Sequence, residues 1–319
     1  MKKKPEQIQQ ELQQGEKTLD PSQVRALKRG AMKARRRRKR LVTFVIVVLL
    51  LLLAAIPAYE MVYQPYQAKT FYRTMKNVYG SAGQGDLPEE YNQQLGGLYD
   101  INQDIGGWLI VPGSDINLPV VQTIEHDGVF YTSHLFDGRQ NPYGTPYYIN
   151  TSPILKAGGN TVIRGGEQLL GELGGYRTLS FYQKAPLLFL DTLEDAAIYK
   201  VFGVVEVADE QISKFTTGQF ESVGAFYDFV TMVGAQSLLF TGVTVENTDQ
   251  LLTIICDTEQ GKLAVVGRRV REDEDYTVDT SLARLQTAQT AGDVVLWDVT
   301  ATDYETPSDL YETPTNIGK

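Results

Sequence analysis

The chain has one cysteine, Cys256, which ends the apolar run LLTIIC and precedes DTE; its two histidines, His126 and His134, lie well upstream. A thiol is a nucleophile once deprotonated. It then needs an acid to protonate the leaving group and a cation or N–H group to hold the developing oxyanion. Without a paired imidazolium its pKa stays near ~8.5, and a lone Cys closing an apolar run reads first as a small buried hydrophobe. One cysteine excludes an intramolecular disulfide, and one Cys with two His cannot complete a structural zinc site. No metal and no cofactor is expected.

The elements around Cys256 read as β-rich. GWLIV (107–111), PVVQ (119–122), TPYYIN (145–150), NTVIRG (160–165), PLLFLD (186–191), IYKVFGVVEV (198–207), LLTIIC (251–256) and KLAVVGRRV (262–270) are β-branched or aromatic runs punctuated by Gly, Pro, Asn and Asp. Eight such runs predict a barrel or a sandwich. One helix interrupts them, because Phe220, Val223, Phe226, Tyr227, Val230 and Val233 fall at helical intervals; this stripe reads as core. Upstream, the spacing predicts short helices over 67–80 and 89–105, the second from Tyr91, Leu95, Leu98, Ile101 and Ile105. From Glu272 onward the chain turns acidic and Thr-rich, so residues 272–319 are expected to form a disordered tail, with Val294–Trp297 as the one candidate ordered patch.

With 319 residues, 42% hydrophobic and 22% charged, the chain can bury a full core. Its net charge of −9 hides an asymmetry: residues 1–40 carry 14 Lys and Arg against 4 Asp and Glu, whereas the remainder is strongly acidic. The basic patch from Lys28 to Arg40 would suit nucleic acid in isolation, but Leu41 to Ala58 follows as eighteen uncharged residues, about 27 Å of helix. This predicts a retained single membrane span and no nucleic-acid partner. The basic flank places the N-terminus in the cytoplasm and residues 59–319 outside, with Tyr59, Tyr63, Tyr66 and Phe71 near the outer interface. The expected organisation is a basic cytoplasmic tail (1–40), a transmembrane helix (41–58), a juxtamembrane helical segment (59–93), a barrel domain (94–271) and the acidic tail (272–319).

Taken in order, IGGWLIVPGSDINLPVVQ (105–122), FYTSHLFDGRQNPYGTPYYI (130–149), NTVIRGG (160–166), LLGELGGYRTLSFYQKAPLLFL (169–190) and LLTIICDTEQGKLAVVGRRV (251–270) resemble the class B sortases. The resemblance implies a mainly β fold: a sortase-type eight-stranded barrel with N-terminal helices and one inserted helix, preceded here by the span. It also implies a cysteine transpeptidase anchored outside a Gram-positive cell, which joins sorting-signal peptides to an amine through a thioacyl intermediate.

Carried over position by position, the resemblance makes Cys256 the candidate nucleophile. The family His follows a strand of the form T-x-I-x-G-H, and Gly166 stands in its place. The family Arg opens the last strand, and Lys262 stands there, keeping the charge without the planar fork. His134 belongs to H-x-FDG (134–138) and is expected to be structural. Thr253 and Cys256 are three residues apart where the family has four, which puts them on opposite faces of a strand unless a bulge compensates.

The leading expectation is a catalytically impaired sortase-like surface protein with a peptide-binding, scaffolding or regulatory role, its partners being the membrane, sorting-signal peptides or surface proteins, or an active sortase. The alternative is an active transpeptidase using Cys256, Lys262 and a substitute acid, Glu167 or Asp257. A third reading is a membrane-tethered structural module with no ligand.

Overall fold

The structure is a computed structural model and describes residues 21–81, 83, 87–122, 129–149 and 157–286. The chain divides into two units, Met1–Gln64 and Pro65–Lys319. In the first, α1 (Pro21–Ala58) contains an 18-residue window of mean hydropathy 3.0 with no buried residues. By length and composition it is able to cross a membrane. Pro57 lacks a backbone donor, and a π-helical turn follows at Tyr59–Tyr63.

The second unit is built on a closed barrel. Its strands are β1 (Ile105–Ile110), β2 (Asn117–Val121), β3 (Tyr147–Tyr148), β4 (Asn160–Gly165), β5 (Leu187–Thr192), β6 (Ala196–Glu206), β8 (Leu251–Thr258) and β9 (Gly261–Arg269). They close in the order β1-β2-β3-β4-β8-β9-β6-β5. These are the eight runs expected from their composition, each shifted by a few residues at most. β2·β3 and β4·β8 are parallel and the other barrel pairs antiparallel.

Period-two alternation sorts the side chains of β8 and β9 between two cores. Leu252, Ile254, Cys256, Leu263 and Val265 join the large cluster inside the barrel. Leu251, Ile255, Ala264 and Val266 join a second cluster with Phe226, Phe229, Val230 and Val233. The latter four lie on the inserted helix, Val223–Gln236, which Ser222 caps by accepting from the N–H of Ala225. That helix therefore covers the outer face of the sheet that carries Cys256.

Two expected boundaries move. The helix Gln64–Val78 does not form a separate juxtamembrane segment, because Ala68, Tyr72 and Met75 are buried in the barrel's own core. Tyr72 donates to the carbonyl of Gly144 and meets the Thr145 hydroxyl at 2.9 Å, while Tyr79 stacks on Trp108 at 4.7 Å. The helix expected over 89–105 shrinks to Gln93–Leu95 and Gly96–Tyr99, and Ile105 already opens β1.

At the other end the barrel does not stop at Arg271. Glu274 pairs with Lys200 and Arg268, Val278 packs against both cores, and β10 (Arg284–Leu285) pairs with β7 (Leu239–Phe240). Arg284 also lies 4.2 Å over the Phe240 ring. Composition marked 272–286 as unable to fold by itself; it is held instead by groups the barrel supplies. The patch Val294–Trp297 lies outside the described residues.

Candidate active site

β4 and β8 run parallel, and their register sets Gly165 opposite Cys256. Gly166, where the resemblance asks for a histidine, follows immediately after β4 and lines a cavity that does not include Cys256. Gly166 is extended (φ −78°, ψ 165°) and precedes the short helix Glu167–Leu170. A Cβ built there meets only Gln168 Oε1, at 3.3 Å, so a larger side chain has room.

Cys256 itself faces the barrel interior and is 1% exposed. Its Sγ donates to the Leu263 carbonyl at 3.7 Å. Burial pushes the thiol up to about 12, with the charge of Asp257 adding to the rise and that of Arg177 opposing it. The register of β8 with β9 is unbroken from Leu251 to Thr258. No bulge rescues the shortened spacing: the Thr253 hydroxyl points away from the thiol and donates to Asn160 Oδ1 at 2.8 Å.

Lys262 is opposite Asp257 in that register, one position out of phase with the Cys256–Leu263 pair. Neighbouring positions on a strand project to opposite faces, so Lys262 leaves the barrel interior. Its ammonium lies 2.7 Å from Asp209 and 3.5 Å from Asp257. The hydrogen bond to Asp209 raises the Lys262 pKa, while the same lysine lowers that of Asp209. The thiol and the ammonium expected to work together are thus held on opposite faces of one hairpin.

The cation whose charge acts on Cys256 is Arg177, from the Gly-rich stretch Gly171–Arg177. Its side chain is 13% exposed; Nε donates to Glu206 at 3.0 Å and Nη1 to the Thr258 hydroxyl at 3.1 Å. Thr258 shares the face of β8 that carries Cys256, and Nη2 of Arg177 is buried without a hydrogen-bond partner among the described residues. Nothing in the spacing of the sequence singled out this arginine.

Of the substitute acids, Glu167 is exposed and Asp257 sits beside Lys262 on the outer side. His134 is occupied elsewhere: Nδ1 donates to the Phe130 carbonyl at 2.7 Å and the ring stacks on Phe130 at 3.9 Å. His126 lies outside the described residues. Among the described residues no group of three or more His, Cys, Asp or Glu is placed to hold a metal ion.

Two cavities flank the end of β8, and Cys256 lines neither. One, of about 360 Å³, lies between the Gly-rich stretch and the β8–β9 turn and includes Arg177 and Thr258. The other, of about 440 Å³, lies at the end of β4 and includes Tyr131, Tyr143, Tyr147, Arg164, Gly166 and Asp257. Gly144 helps to shape the second. At φ +61° its Cβ would stand 2.5 Å from the Tyr131 carbonyl, so glycine is required where that loop doubles back.

No family model matches the chain. Two curated relatives do: sortase B of Listeria monocytogenes is 24% identical over 221 residues, 66% of this chain and 87% of that protein. Sortase B of Staphylococcus aureus is 23% identical over 171 residues, 52% of this chain and 68% of that protein. Among solved structures, sortase B of Bacillus anthracis in complex with AAEK1 superposes with a TM-score of 0.58 and 23% identity, over 66% of this chain and 99% of that one. The Staphylococcus aureus sortase B–substrate complex gives 0.56 and 21%, over 65% and 98%. Sequence likeness along most of the relatives' length, carried on the same fold, supports assigning this chain to the class B sortase family.

Proposed function

We propose that the protein is a catalytically impaired class B sortase homologue that stands at the cell surface and binds peptides without transferring them. The observation that carries this reading is the direction of Cys256: its thiol is turned into the barrel core, 1% exposed, with Lys262 on the other face. Transpeptidation requires a thiolate within about 3–3.5 Å of the scissile carbonyl, with an acid and an oxyanion donor in place. Gly166 supplies no acid. Peptide binding is favoured over a ligand-free structural role by the concave, tyrosine-lined surface beside Gly166, where a barrel kept for stability alone would need no cavity.

A labelled sorting-signal peptide should bind the full-length protein equally well with and without Cys256→Ala, and should lose affinity at least fivefold when Gly166→Trp fills the cavity. Absence of binding by the parent protein would favour the structural module. The substrate named in the Staphylococcus aureus complex belongs to that enzyme; its relevance to this chain is part of the same proposal.

The anchoring belongs to this reading too. The basic cluster flanking Leu41 to Ala58 supports a cytoplasmic N-terminus and an external barrel. Protease added to intact protoplasts should remove the barrel and spare the basic tail. An intact barrel under active protease would reverse the orientation.

A further inference from the structure

The cavity at the end of β4 is lined by the guanidinium of Arg164. Arg164 is half-buried and makes neither a hydrogen bond nor an ion pair with any described residue. It pairs across the sheet with Tyr147, whose hydroxyl it acidifies against a larger opposite push from burial. Tyr131 and Tyr143 line the same space. Two carboxylates share it, but Asp257 lies 3.5 Å from the Lys262 ammonium and Glu167 is exposed to solvent. Arg164 is the one cation among the described residues that line this cavity, and its charge also reaches Asp209. A planar guanidinium beside aromatic rings suits a ligand that offers a carboxylate next to an aromatic group.

The sequence beyond Gln286 carries such groups twice. Tyr-Glu-Thr-Pro occurs at 304–307 and again at 311–314, each copy with an aromatic ring, a carboxylate and a proline that favours an extended backbone before it. The segment holds Asp293, Asp298, Asp303, Glu305, Asp309 and Glu312 against Lys319 as its one cation. The eighteen residues from Gln286 to Tyr304 span up to about 60 Å when extended, more than the roughly 45 Å expected across a domain of this size. Tethering at that length gives an effective concentration on the order of millimolar.

We propose that this cavity is the docking site of the chain's own C-terminal Tyr-Glu-Thr-Pro repeat, the glutamate pairing with Arg164 and the tyrosine entering among Tyr131, Tyr143 and Tyr147. The proposal rests on reading the groove as a peptide site and names its resident ligand. The tail then competes with any external peptide, and the second copy keeps the site occupied when the first leaves.

The test uses the full-length protein with Tyr311→p-benzoylphenylalanine, irradiated at low concentration and mapped by mass spectrometry. Intramolecular adducts are expected on the peptides containing Tyr143, Tyr147 or Arg164. Their yield should fall at least fivefold with Arg164→Gln, fall less with Arg164→Lys, and stay unchanged with the exposed Lys214→Gln. Circular dichroism melts verify that each variant is folded. In parallel, a fluorescent peptide of residues 302–316 should bind full-length protein carrying Glu305→Gln and Glu312→Gln at least fivefold more tightly than the parent, whose own tail competes. Peptide binding that is indifferent to Arg164→Gln, with adducts elsewhere, would overturn the docking site and leave the peptide reading intact. No binding of this peptide or of a sorting-signal peptide, with no adduct near the cavity, would overturn both.

Discussion

Glu274→Gln is expected to destabilise the barrel by about 3–5 kcal/mol, the cost of leaving buried charge without its partner. Glu274 is the acceptor for two cations that burial has removed from water: Arg268, 2% exposed, whose Nη2 donates to it at 2.9 Å, and Lys200, 8% exposed, at 2.7 Å. Asp249 is the other acid near Arg268, at 3.8 Å, and it already serves Arg271 at 2.8 Å. For a domain of this size the loss corresponds to a fall in Tm on the order of 10 °C. A protein ending at Arg271 should fall at least as far, since it also loses Val278 and the β7·β10 pairing. Lys200→Met in the Glu274→Gln background should recover part of the loss by removing one stranded charge.

The same carboxylate gives the stability a defined acid limb. Hydrogen bonds from Arg268 first, and then from Lys200, hold Glu274 at about 2 against an ordinary 4.5. A carboxyl depressed in the folded state contributes fully above its unfolded pKa and loses that contribution as pH falls from about 4.5 towards 2. Urea midpoints measured across that window should slope more steeply in the parent than in Glu274→Gln. Equal slopes and equal melting temperatures would mean that water supplies the missing partner, and that the fold does end at Arg271.

What could be read from the sequence, and what could not, divides by the range of the interaction. The eight strands were legible because each is a local run bounded by turn residues, and the inserted helix because its stripe repeats within fourteen residues. The opposed faces of Thr253 and Cys256 were legible as well, since a strand's period is local and β8 runs without a bulge. The same period turns Lys262 away from the barrel interior, but its ion-pair partner was not legible, because Asp209 follows β6 more than fifty residues earlier. Residues 272–286 misled for the same reason, as an acidic segment looks solvated until Lys200 and Arg268 are known to face it. Arg164 was within reach, because period two puts it on the face of Gly166 two residues on. Arg177 had no local signal, because its partners Glu206 and Thr258 come from two distant strands.

The purified protein is expected neither to cleave nor to transfer sorting-signal peptides, and Gly166→His with Lys262→Arg is expected to restore little. The histidine would fit, since the space at Gly166 is open, and it would enter the cavity that holds Arg164. The arginine would inherit the Asp209 and Asp257 contacts of Lys262. Neither change turns Cys256 out of the barrel core, where Leu263 lies opposite it. A general acid is worth about 10²–10⁴-fold and an oxyanion donor about 10²–10³-fold, but only when the nucleophile is already in reach. The thiol also lacks the charge for attack: at about 12 rather than its ordinary 9, it yields about 10³-fold less thiolate at neutral pH. Iodoacetamide should therefore alkylate Cys256 about 10³-fold more slowly in the native protein than in urea, and Arg177→Gln should slow the native reaction further by removing the charge that favours the thiolate. Native alkylation as fast as that of the unfolded chain, together with peptide transfer abolished by Cys256→Ala, would show that β8 turns its cysteine outward in solution. The protein would then be an enzyme whose acid has still to be found, with Glu167 and Asp257 the first to replace.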